Sequence, residues 1–205
     1  MNLMSVFSVP LWQSDYPEFE SHKNIFLEKV REYKDQNHSV QKSNVAGYQS
    51  PNTIHHIEEL RPFFEYACQM AFQASADLGF MDCDIAITSA WANVNDSRQS
   101  MICEHVNENT FSGVFYLSAP EKSGNLCIPN PAINKMWDGL NAVEQKNQFT
   151  AEVIRIEPEE GNIVLVPSYL SQYVETNDHD EETISISFNL IVLPKGSLDS
   201  MQNVQ

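Results

Sequence analysis

Histidine, cysteine and carboxylate side chains carry most protein chemistry, and in this 205-residue chain they gather in few places. Cys103, Glu104 and His105 stand in a row and have the types needed for a thiol or acid–base site. Neighbouring residues of a strand point to opposite faces, which splits such a trio. His55-His56 offers two imidazoles, but adjacent residues do not face the same way, so a loop or helix-start role is expected there. The run Asp178-His179-Asp180-Glu181-Glu182 could present oxygens to calcium. It lacks the glycine and alternating spacing of a dedicated loop and reads as a solvated hairpin tip. Cys68, Cys83, Cys103 and Cys127 contain no Cys-x-x-Cys pair and read as reduced structural thiols. Trp91, Phe111, Phe115, Tyr116 and Tyr169 read as core aromatics, while Trp137 lies in a long irregular segment of the kind that carries contacts.

The elements that must position these groups change character half-way along the chain. After an extended lead-in around Val6 to Trp12, the stretch Tyr16 to Lys34 places Phe19, Phe26, Val30 and Tyr33 at helical spacing. A polar loop is expected from Asp35 to Pro51. A second helix is expected from about Ile57 to Leu78, with Pro62 in its first turn and Gly79 just past its end. From Ile85 onward the period is two. Ile85 to Asn95, Gly113 to Ala119, Asn125 to Pro129, Phe149 to Glu157, Asn162 to Pro167 and Thr183 to Leu193 read as short strands. Helices followed by strands imply an α+β domain, an antiparallel sandwich or barrel with helices on one face. Its expected extent is 1–194, with helical cover over 16–80, a β core over 85–194 and a polar tail over 195–205 that is mobile when free.

Twelve Lys and Arg against 28 Asp and Glu give a formal net charge of −16. That balance disfavours phosphate backbones and anionic membrane surfaces, so neither nucleic acid nor membrane is expected as a partner. No apolar run is long enough to span a bilayer, and Met1 to Pro10 lacks the pattern of a secretory signal, so a cytoplasmic protein is expected.

Several strings together resemble a known group. They are Ser89-Ala90-Trp91-Ala92-Asn93-Val94-Asn95, Ser112-Gly113-Val114-Phe115-Tyr116-Leu117, Ser123-Gly124, Pro158-Glu159-Glu160-Gly161, Val166-Pro167-Ser168-Tyr169-Leu170 and Ile184-Ser185-Ile186-Ser187-Phe188-Asn189. Gly47-Tyr48-Gln49-Ser50 and the opening Phe7 to Trp12 fit as well. The combination is similar to the iron(II)/2-oxoglutarate-dependent oxygenases, in a branch common in marine bacteria and their phages. The resemblance implies a double-stranded β-helix, a jelly-roll, cupin-like barrel with the metal in its mouth.

Such enzymes hold iron(II) on two imidazoles and often a carboxylate. By the resemblance, the first pair of ligands falls on Glu104 and Val106, and valine cannot bind a metal. His105 would point the other way in an unbroken strand. A β-bulge could turn it inward together with Asn107. The distal histidine position holds Gln172. The arginine that grips 2-oxoglutarate falls on Thr183, two residues before Ser185, and a hydroxyl cannot reproduce a bidentate guanidinium grip.

The resemblance with these replacements implies a scaffold without its enzyme chemistry. The expectation is no catalytic residue, no metal and no cofactor, in a structural or interaction module with a protein partner or a second copy of itself, and a virion or phage-assembly component if of phage origin. Two alternatives remain. One is an active dioxygenase using iron(II), 2-oxoglutarate and a shifted ligand set that includes His105. The other is a small-molecule or sugar-binding jelly roll, with Val106 and Phe111 deciding whether the mouth is plugged.

Overall fold

The structure is a computed structural model and describes residues 8–40, 47–80, 82–95, 108–132, 147, 150–176 and 181–198, together with the backbone of 101–103. Strand β1 (Trp12–Asp15) leads into helix α1 (Phe19–Gln36), and the short strand β2 (Tyr48–Gln49) follows. Two 3-10 turns, Ile54–His56 and Glu58–Leu60, precede helix α2 (Arg61–Asp77). The strands β3 (Cys83–Asn95), β4 (Met101–Cys103), β5 (Phe111–Ser118), β6 (Leu126–Pro129), β7 (Val153–Ile156), β8 (Asn162–Pro167), β9 (Gln172–Val174) and β10 (Thr183–Pro194) complete the chain.

The helical spacing is realised, with shifted ends. The second helix begins at Arg61 rather than Ile57, because a 3-10 turn occupies 58–60 and Pro62, which lacks an N–H, is accommodated in the first turn. It ends where expected. Gly79 takes a φ of +84°, its N–H donates to Ala76 O, and the N–H of Phe80 donates to Ser75 O. This is the paired closure that a left-handed glycine permits. Two expectations need correction. Trp12–Asp15, which continues beyond the extended lead-in expected only to Trp12, and Tyr48–Gln49, read as polar loop, are strands, since β1 pairs with β8 and β2 with β3. Pairing at a sheet edge needs no alternation long enough to register in the sequence.

The strands form two antiparallel sheets, a six-stranded one in the order β1-β8-β5-β10-β3-β2 and a four-stranded one in the order β4-β9-β6-β7. Alternation decides what each face of the larger sheet meets. On β10 the even positions Ile184, Ile186, Phe188 and Leu190 are buried beside Phe26, Val30, Phe63 and Ala67 of the two helices. Ala90 and Ala92 of β3 lie in the same cluster, and their small side chains let α2 come close to the sheet. Phe63 stacks on Phe115 with centroids 4.2 Å apart and meets Phe188 edge-on at 5.6 Å. Each fully buried ring contributes about 1.5–3 kcal/mol, so these contacts hold the helical layer on the sheet.

The opposite face of the larger sheet looks toward the smaller one. Val114, Tyr116, Val164 and Val166 pack there against Leu126, Ile128 and Ile156. The space between the two sheets is the barrel interior.

Candidate functional site

Across an antiparallel pair, directly opposed residues share a face. Ser187 of β10 stands opposite Val114 of β5 and Trp91 of β3, Ser185 stands opposite Tyr116 and Asn93, and Thr183 stands opposite Asn95. Val114 and Tyr116 face the interior, so this whole set does. A polar stripe therefore runs down the middle of the inner face. Thr183, Ser185, Ser187 and Asn189 alternate with the apolar residues that meet the helices, and all four are buried.

The lower end of the stripe is fully bonded. Asn189 donates through Nδ2 to Ser89 Oγ at 3.0 Å and accepts at Oδ1 from Ser112 Oγ at 2.8 Å. Asn93 donates through Nδ2 to Ser187 Oγ at 3.0 Å. Its Oδ1, and Nε1 of Trp91, are buried without a partner.

The position read as the anion clamp is Thr183, the first residue of β10 and 7% exposed. Two cations of α1 serve its chain neighbour. Lys34 and Arg31 reach Glu182 at 3.3 Å and 3.8 Å, from the side of α1. Gln172 opens β9 two residues before Val174, which packs against the inner cluster, so it shares that inward face. It pairs in register with Cys103, which places the distal-ligand position beside the residue before Glu104. Glu104, His105, Val106 and Asn107 lie outside the described residues, as do Trp137 and Asp178 to Asp180. Among the described residues no three metal-capable side chains gather. At the positions the resemblance assigns to the distal ligand and the clamp stand a neutral amide, Gln172, a weak iron ligand, and a hydroxyl, Thr183, which cannot make a guanidinium's bidentate grip.

Four expectations are corrected by packing. Tyr169 is 54% exposed, because the turn after Pro167 sends Leu170 inward in its place. Phe111 does not plug the barrel. It lies on the helix side, edge-on to Trp12 with centroids 5.6 Å apart. His55 and His56, adjacent on a tight 3-10 turn, bring their rings to 4.1 Å and so do face each other. Burial, with His56 second, holds the His55 imidazole below its ordinary pKa. Trp91, read as core, is half-buried on the polar inner face and belongs to neither apolar cluster. Cys68, Cys83 and Cys127 are free thiols. The tail begins tied down, with Lys195 Nζ 3.3 Å from Asp84 and the Leu198 N–H donating to the same carboxylate.

The motif residues hold the scaffold. Ser168 Oγ donates to Asn109 O and its N–H to Thr110 O, fastening the chain just after the 104–107 segment. Gly124, at a φ of +81°, lies so near Glu175 O that a side chain could not enter. Ser50 Oγ accepts the Ala92 N–H at 2.9 Å. Asn93 and Ser187 appear in the motif strings, yet sequence reasoning gave them no role. The available signal was polar alternation on a strand whose other positions are all apolar.

Sheets, strand order and helical layer define a double-stranded β-helix of the α+β class. Residues 89–189 match the family described as "Putative 2OG-Fe(II) oxygenase", and this match together with the fold supports membership of the 2OG-Fe(II) oxygenases. Among solved structures, a Pseudomonas putida prolyl-4-hydroxylase is similar at 11% identity with a TM-score of 0.62, over 92% of this chain and 95% of that one. The epimerase SnoN from nogalamycin biosynthesis is similar at 11% identity and 0.64, over 89% and 78%. HygX from Streptomyces hygroscopicus, with nickel and 2-oxoglutarate bound, is similar at 8% and 0.58, over 91% and 83%. A comparison with curated proteins finds no match.

Proposed function

We propose that this protein is a non-catalytic member of the oxygenase family whose barrel serves as a structural or interaction module. The supporting observation is the buried Thr183–Ser185 pair facing Asn95 and Asn93, where an oxygenase of this type needs a guanidinium. A charged dicarboxylate moved onto a buried neutral face loses hydration, and among the described residues of that face no cation restores it. Gln172 weakens the metal side of the site in the same way. The surface that remains is strongly acidic, and a partner for it carries basic groups or arrives with cations. That partner is another protein or a second copy of the chain, and the resemblance to a phage-borne branch favours a place in a virion or its assembly.

The test is metal analysis of the purified full chain and succinate release from 2-oxoglutarate under aerobic conditions with added iron(II). The expected result is iron well below one per chain and no succinate. Stoichiometric iron with succinate release overturns the proposal and establishes the dioxygenase reading, in which His105→Ala abolishes metal binding.

A further inference from the structure

The inner face holds more hydrogen-bonding capacity than it uses, and the surplus is local. Asn93 is 1% exposed, and only one end of its amide is engaged, by Ser187. A serine hydroxyl both donates and accepts, so turning the amide over would satisfy Oδ1 and leave Nδ2 bare instead. One end stays unsatisfied in either orientation. Two residues earlier on the same face of β3, the Trp91 indole N–H is buried without a partner. Asn189, further along the same stripe, has both ends bonded. Buried polar groups in folded proteins are partnered in the great majority of cases, so an adjoining pair of exceptions points to a missing occupant.

The chemistry of that occupant follows from the two groups. It must accept from the indole and supply the amide with whichever of donor or acceptor it lacks, and a hydroxyl can do both. A carboxylate could serve the amide only with Nδ2 as the bare end, and the described inner-face residues of β3 from Ser89 to Asn95, of β5 and of β10 from Thr183 to Asn189 carry neither a cation to balance it nor an acid to balance an ammonium. The half-buried Trp91 ring adds apolar surface of the kind on which the C–H groups of a sugar rest.

We infer that the barrel interior around Trp91 and Asn93 is a binding site for an uncharged, hydroxyl-rich small molecule, a polyol or sugar. The inference rests on the non-catalytic reading and names the ligand class of the same interior.

The test follows the indole N–H signals of the three tryptophans in the nitrogen-15-labelled full chain. Trp91→Phe assigns the Trp91 signal, glycerol and glucose are the probes, and 2-oxoglutarate is the charged control. The Trp91 proton is expected to move downfield and saturate with glycerol or glucose. Trp12, whose Nε1 already donates to Asp77 at 2.9 Å, is expected to stay. Asn93→Leu is expected to weaken the response at least tenfold. Ser187→Ala, which removes the amide's partner with little change in volume, is expected to shift the apparent Kd at least threefold and serves where the leucine variant does not fold. No saturable movement with either probe, or unchanged affinity in the folded variants, overturns the inference and assigns the groups to water. Neither result touches the non-catalytic reading, which falls only with iron and succinate.

Discussion

The ring of Phe188 lies against the α-carbon of Gly113, directly across the β10–β5 pair, so closely that an added methyl would collide with three ring carbons. Phe63 of α2 meets the same ring edge-on, so Gly113 governs how the helical layer sits on the sheet. The Ser-Gly and Phe-Asn strings thus have packing reasons to persist whatever happens to the chemistry. Gly113→Ala is expected to destabilise the fold by about 1–3 kcal/mol through overpacking, read as a lower urea midpoint with an unchanged slope. An unchanged midpoint would show that Phe188 can move aside.

Thr183→Arg restores the residue type that the resemblance assigns to this position, yet it places a charge where Thr183 is buried opposite Asn95. An unpaired buried charge costs about 3–5 kcal/mol. The arginine variant is therefore expected to unfold at clearly lower denaturant than wild type, while Thr183→Ser, which keeps the hydroxyl, stays close to it. An arginine variant as stable as wild type would mean that an anion or carboxylate already lies within its reach.

His55 gives the fold a pH dependence of known sign. Its folded pKa lies below the ordinary 6.5, because burial and then His56 disfavour its charged form. The unfolded chain therefore binds more protons, so the stability is complete above 6.5 and declines as pH falls from there toward the lowered folded value. His55→Phe, beside Phe64, should flatten this part of a stability-versus-pH curve. The decline at lower pH, below the ordinary 4.5 of Glu59 and Glu175, whose folded values are also lowered, should persist in the variant. A slope near pH 6 that survives the substitution would assign it elsewhere.

Burial, with Glu65 second, pushes the Cys68 thiol up to about 11. At pH 8 roughly one in a thousand such thiols is ionised, and the thiolate is the reacting form. Alkylation of Cys68 in the native chain, followed by peptide mass spectrometry, is expected to be slow at pH 8 and to become complete in urea. Fast native labelling would show that α2 opens readily.

Much of the fold was legible because it depends on local pattern. The spacing of Phe19, Phe26 and Val30, the stop at Gly79 and the two-residue period from Ile85 onward are consequences of backbone geometry that a linear chain carries openly. The edge strands β1 and β2 were not legible, since their partners β8 and β3 lie far along the sequence. The replacements at Gln172 and Thr183 could also be read, by register against a resemblance. What the sequence by itself determined is thus the identity of the residues at those positions and the alternation that aims them. Only the tertiary structure decided what they face. The pairing of β10 with both β3 and β5 brings Asn93, Ser187 and Trp91 to one patch of the barrel interior. An unsatisfied hydrogen bond is a property of everything that surrounds a group, so it emerges only when the strands close around it.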